Sequence, residues 1–111
     1  MTSAQFRKLA LAQPEALESS HFGKADFRVR NRIFAGFMAD GFGYVKLKPE
    51  QQEMVCASVA NCVSPIPGGW GRQGWTRIDH AKADVALVKS LLLMAWRNVA
   101  PKTLQKSVPE S

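Results

Sequence analysis

A chain of 111 residues and 12.2 kDa has room for one hydrophobic core, which excludes a multidomain arrangement. With 46% hydrophobic and 22% charged residues, the composition is that of a folded globular protein and sets aside disordered and fibrous classes. Fifteen Lys and Arg against nine Asp and Glu leave a formal charge of +6 and a pI near 9.8, which brings polyanions forward as partners and says nothing of fold.

Thr2 with Gln5 three residues later has the form of a capping box, and Phe6, Leu9 and Ala10 follow at helical spacing. A first helix is expected over residues 3–12. The same N-terminal stretch lacks the charged-then-apolar order of a secretory signal. The longest apolar run, residues 91–96, falls far short of the roughly 20 residues a membrane helix needs. A cytoplasmic protein with no membrane partner is the expectation. Pro14 stops the first helix, because its ring cannot donate the helical hydrogen bond, and residues 14–23 read as a connector.

From Asp26 to Lys48 the period becomes two. Phe27 and Val29 alternate with Arg28 and Arg30, and Val45 and Leu47 with Lys46 and Lys48. Turn chemistry at Arg30-Asn31 and Asp40-Gly41 divides the stretch into a meander of about three antiparallel strands. Pro49 suits a first helical position, Glu50 and Glu53 suit the positive end of the helix dipole, and Val55 and Val59 supply an inner face for a helix ending near Ala60. Residues 61–74, rich in Pro and Gly, read as loop, and residues 75–79 as the return limb of a second, Gly-rich hairpin. Asp84 can start a last helix whose stripe is Val85, Val88, Leu92, Ala95 and Val99. Pro101 closes it, leaving 102–111 as a loose basic tail. The element order is αβββαββα, without internal repeats.

Several blocks in this order carry a family resemblance: His21-Phe22-Gly23, Phe27-Arg28-Val29-Arg30, Ile33-Phe34-Ala35, Val45-Lys46-Leu47, Pro67-Gly68-Gly69-Trp70-Gly71, Gly74-Trp75-Thr76-Arg77, Ala95-Trp96-Arg97 and Ala100-Pro101-Lys102. Over about residues 4–106 the chain resembles the MmcQ/YjbR family. The resemblance implies an α+β domain with an antiparallel sheet in a double-wing arrangement, and a role in DNA binding. It brings no catalytic residue with it.

Charge is unevenly spread. Residues 24–48 hold six basic against two acidic residues, net +4, and residues 72–106 hold seven against two, net +5, leaving −3 elsewhere. Because strand side chains alternate, Arg28 and Arg30 share one side of their strand, and Lys46 and Lys48 one side of theirs. If the sides coincide, these residues with Arg32 make a basic sheet face. Arg72 and Arg77, beside glycines that permit close backbone approach, extend it toward phosphates. The bland alternative is a solvated outer face. Trp70 and Trp75 are stacking candidates, although Trp75 reads more simply as core and Trp96 as core or boundary. His21 is either a polar anchor at a site or a bond to a backbone carbonyl.

Cys56 and Cys62 read as reduced core fillers. With His21 and His80 they follow no zinc-ligand spacing, and they form no nucleophile pair. No metal, cofactor or catalytic constellation is indicated. DNA binding without enzymatic activity, by a monomer or weak dimer, is the leading expectation. The rivals are a protein-interaction module and a small-ligand binder near His21, Trp70 and Trp75.

Overall fold

The computed structural model describes residues 1–21 and 23–106, with only the backbone at His21. Helix α1 (Ser3–Leu11) begins on the capping box: Thr2 Oγ1 accepts from the Gln5 N–H at 3.1 Å, and Gln5 Oε1 accepts from the Thr2 N–H at 2.8 Å. Four strands follow, β1 (Leu17–His21), β2 (Lys24–Val29), β3 (Arg32–Phe37) and β4 (Gly43–Lys46). Between β2 and β3, Arg30 and Asn31 adopt φ of 50° and 65°, the two successive left-handed residues that a tight I′ hairpin demands. Helix α2 (Pro49–Ser58), strand β5 (Val63–Pro65), helical turn α3 (Gly69–Arg72), strand β6 (Trp75–Ile78), helix α4 (Val85–Val99) and short helix α5 (Lys102–Gln105) complete the chain.

All six strands form one antiparallel sheet in the order β1-β2-β3-β4-β6-β5. The fold is α+β. Register decides the faces: Phe27, Ala35, Val45 and Thr76 are partners across β2, β3, β4 and β6, and all are buried. The neighbouring row, Asp26, Gly36, Tyr44 and Arg77, points the other way. Helix α4 lies over β3 and β4 and α1 packs on α4, so one face is covered and the core is single. Trp96 is fully buried on α4, and its indole Nε1 donates to the Pro14 carbonyl at 3.0 Å. Helix α2 joins the same face, where Gln52 Nε2 donates at 3.1 Å to both the Trp75 carbonyl and the Thr76 hydroxyl.

Three segments differ from the sequence expectation. Residues 14–23 are not all connector, for Leu17–His21 is an edge strand. Its pattern is inverted: Leu17 is 71% exposed, while Glu18 faces the helices and pairs with Arg7 of α1. The 61–74 stretch contains β5, the outward limb of the second hairpin, and the turn α3. Pro65 is tolerated because β5 is an edge strand. The start of the tail is helical, with Gln105 Nε2 donating to the carbonyls of Arg97 (2.9 Å) and Ala100 (2.8 Å); its last five residues, 107–111, lie outside the described residues. The observed order is αββββαβαβαα. Among the described residues no helix is long and apolar enough to cross a membrane.

Gly74 locks β6 to the end of β4. Its φ is +104°, its carbonyl accepts from the Leu47 N–H at 3.0 Å, and a Cβ there would lie 1.9 Å from the Leu47 carbonyl oxygen. Gly41 has φ +89° with nothing within 4 Å of an added Cβ. In urea denaturation, Gly74→Ala is expected to lose about 3 kcal/mol or more, and Gly41→Ala only the left-handed penalty of about 1–2 kcal/mol. Equal losses would show that backbone strain, and not the contact with Leu47, decides.

Candidate nucleic-acid interface

Strand direction gathers the cations. β2 and β4 run toward one end of the sheet, the end from which β3 and β6 start. Arg28 lies near the end of β2, Arg30 in the following turn and Arg32 at the start of β3; Lys46 ends β4, Lys48 precedes α2, and Arg72 closes α3 just before β6. Helix α4 descends to the same end, where Asn98 Nδ2 donates to the Lys46 carbonyl at 3.1 Å and to Gln51 Oε1 at 2.8 Å. Six of the seven predicted cations therefore share one end. Arg77, across from Tyr44, lies toward the other.

They do not form the uniform basic face that alternation suggests. Arg30 sits in the turn, off the strand, so it does not share a side with Arg28. Arg28 grips Asp26 through two hydrogen bonds of 2.8 and 3.1 Å and also donates to Asn31 Oδ1 at 3.2 Å. Those bonds to a carboxylate that is only 1% exposed raise the arginine's pKa. Arg30 makes a similar fork with Glu15, at 2.8 and 3.1 Å, which holds the Glu15 carboxyl below its ordinary range. Arg77 Nη2 donates to Asp40 at 3.1 Å, and its guanidinium lies 4.0 Å over the Phe42 ring. Lys46 Nζ donates to the Gln73 carbonyl at 2.6 Å and sits 5.1 Å above the Trp75 ring, with partial burial pulling its pKa down. Among the described residues, Arg32, Lys46, Lys48 and Arg72 have no carboxylate in salt-bridge range.

Aromatic rings flank this end. Trp75 is not core: it pairs with Lys46, shares that residue's outer face, and is half-buried. Trp70 on α3 is 62% exposed, with its ring centroid 6.0 Å from that of Trp75. Tyr44, absent from the sequence-predicted site, stands 5.5 Å from Trp75 on its other side. The polar-anchor and pocket roles considered for His21 fall on a side chain outside the described part of the molecule. Two surface clefts, of about 1000 Å³ along α4 and about 290 Å³ beside Arg77, are lined by neither tryptophan. Burial pushes the pKa of both thiols, Cys56 and Cys62, upward, which opposes a nucleophilic role. Among the described residues no cluster of three or more His, Cys, Asp or Glu could hold a metal ion.

A family model described as YjbR matches residues 11–98, which include every one of these side chains. The chain belongs to the YjbR family. Its structure is similar to the crystal structure of Deinococcus radiodurans protein DR2400, a DUF419 domain, with a TM-score of 0.72 and 20% identity over 99% of this chain and 91% of that one. At that identity the likeness concerns fold. No curated protein matches the chain. In this YjbR domain, the strands and turns of the matched region build the cationic end, and α4 braces it from behind through Asn98.

Tyr44 is the one tyrosine of this YjbR chain, so its ionisation can be followed alone. Burial first, then the Asp26 charge, pushes its pKa up to about 12 from 10.0. The folded state thus holds the phenol proton more tightly than the unfolded state. Tyr44 contributes stability in full below pH 10, and that contribution is lost as pH rises from 10 toward 12. Absorbance at the tyrosinate band should show a midpoint near 12; a midpoint near 10 would mean that the ring is free in water.

Proposed function

We propose that this domain binds DNA, without catalysing a reaction, through the cationic end of its sheet. The observation that carries the reading is the meeting there of Arg28, Arg30, Arg32, Lys46, Lys48 and Arg72, four of them without a carboxylate partner among the described residues. Arginine forks and lysine ammonium groups match phosphate oxygens, and each contact releases a condensed counterion. The exposed Trp70 ring, beside the half-buried Trp75, adds a surface that a purely solvating face does not need. The resemblance to the DUF419 neighbour concerns fold alone and does not carry the reading. Among the described residues no element is identifiable as a reader of base edges, so sequence-tolerant binding is the form proposed.

One observation favours a second reading. The cleft along α4 brings Val85, Leu93 and Met94 together with Lys89 and Arg97, chemistry that also suits an acidic protein segment.

Anisotropy titration of a labelled oligonucleotide separates the two. DNA affinity should fall with salt at a log–log slope of about −3, from some three to four phosphate contacts. The triple variant Arg32→Glu, Lys48→Glu, Arg72→Glu should weaken binding by about 100-fold or more, whereas Arg30→Gln, already paired with Glu15, should change it by less than about threefold. No binding at micromolar protein and low salt, or full binding by the triple variant, refutes the proposal.

A further inference from the structure

The outer face holds an arrangement that phosphate contacts alone leave unexplained. Tyr44 and Gly36 are partners across β4 and β3, and the phenol leans over the glycine. A Cβ at Gly36 would come 2.5 Å from the Tyr44 hydroxyl oxygen and 2.6 Å from the ring carbon that bears it. The absence of a side chain at 36 is what allows the ring to lie across the sheet. Trp75 meets that ring at 70°, with centroids 5.5 Å apart, and Trp70 meets Trp75 at 74° and 6.0 Å. Three rings thus step along one side of the sheet, each nearly perpendicular to the next, on the face opposite α1, α2 and α4.

Cations border the Tyr44 and Trp75 rings. The Arg28 charge acts on Tyr44 from the β2 side, Arg77 is its partner on β6, Lys46 lies over Trp75, and Arg72 follows two residues after Trp70. Buried aromatic clusters exclude such charges, and an enclosed ligand pocket would surround its guest. This line of rings does neither. Duplex DNA hides the faces of its bases in its own stack, whereas a single strand exposes them, and base–aromatic stacking needs only an open ring face.

We infer that the corner formed by Tyr44 and Trp75 takes a base of single-stranded DNA, with Trp70 serving the next base and Lys46, Lys48 and Arg72 lying along the connecting phosphates. The inference rests on the DNA-binding reading above and narrows it to an unpaired strand. Arg28, held by Asp26, borders the Tyr44 corner as a fixed positive edge.

The test uses the full chain and four labelled 12-mers at low salt: single-stranded dT, an abasic strand with the same phosphates, a duplex, and single-stranded rU. The dT strand should bind about tenfold or more tighter than the abasic strand and tighter than the duplex or rU, and should quench tryptophan fluorescence. Tyr44→Leu should weaken dT binding by about fivefold to a hundredfold and leave the abasic strand unchanged, while Tyr44→Phe keeps dT binding. Gly36→Ala displaces the phenol without removing a ring or a charge, so it should mimic Tyr44→Leu; thermal melts establish that each variant is folded. Equal affinity for dT and the abasic strand, a preference for duplex or rU, or wild-type dT binding by Tyr44→Leu overturns the inference and leaves the cationic-end reading standing. Failure of all four probes to bind overturns both.

Discussion

One-sided cover of an antiparallel sheet is the constraint from which the rest of this molecule follows. Helices α1, α2 and α4 pack on the face that carries Phe27, Ala35, Val45 and Thr76, and they bury Phe6, Trp96 and Leu92 with it. Burying such side chains stabilises the fold by about 1.5–3 kcal/mol each. Alternation then sends Asp26, Gly36, Tyr44 and Arg77 to the other face. A slip of one residue in β2 or β6 would place Asp26 or Arg77 in the core, and one in β4 would place Lys46 there, so the outer face is specified as strictly as the inner one.

The ion pairs shape that outer face more than they stabilise it. Arg30 with Glu15 is exposed on both sides and is worth little, about 0–1 kcal/mol. Arg28 with Asp26 is different, since the carboxylate is nearly inaccessible and needs its partner. That pair lies where the Tyr44 ring leans, so it fixes one wall of the aromatic corner while leaving the arginine partly exposed. Arg77 is similarly held, by Asp40 on one side and the Phe42 ring beneath. At the cationic end the paired Arg28 and Arg30 therefore stand beside Arg32, Lys46, Lys48 and Arg72, which have no carboxylate partner among the described residues.

Much of the fold was legible in the residues. The capping box at Thr2, the tight turn at Arg30-Asn31, Pro49 opening α2 and the stripe on α4 all act locally, through spacing and backbone preference. What stayed hidden depends on partners distant in the chain. β1 has only one neighbour and puts its leucine toward water, so its sequence carries no alternation, and Val63-Ser64-Pro65 is too short to announce a strand. The cations were recognised as a group, but parity within a strand was a poorer guide than strand direction. Glu15 reaches Arg30, and Asp40 reaches Arg77, only once the sheet exists. Tyr44 was missed for the same reason: nothing in its own neighbourhood says that Gly36 lies opposite.

The sorting of charge along the strands also gives the domain a sense of direction in space. At the end away from Lys48 and Arg72, Lys82 is offset by Asp79, Arg77 by Asp40, and Asp84 caps α4. The net +6 is therefore lopsided, and a lopsided charge makes a long-range electric moment roughly parallel to the strands. In the field of a polyanion such a body feels a torque before it feels a contact. Ionic screening sets how far from such a surface that torque would reach.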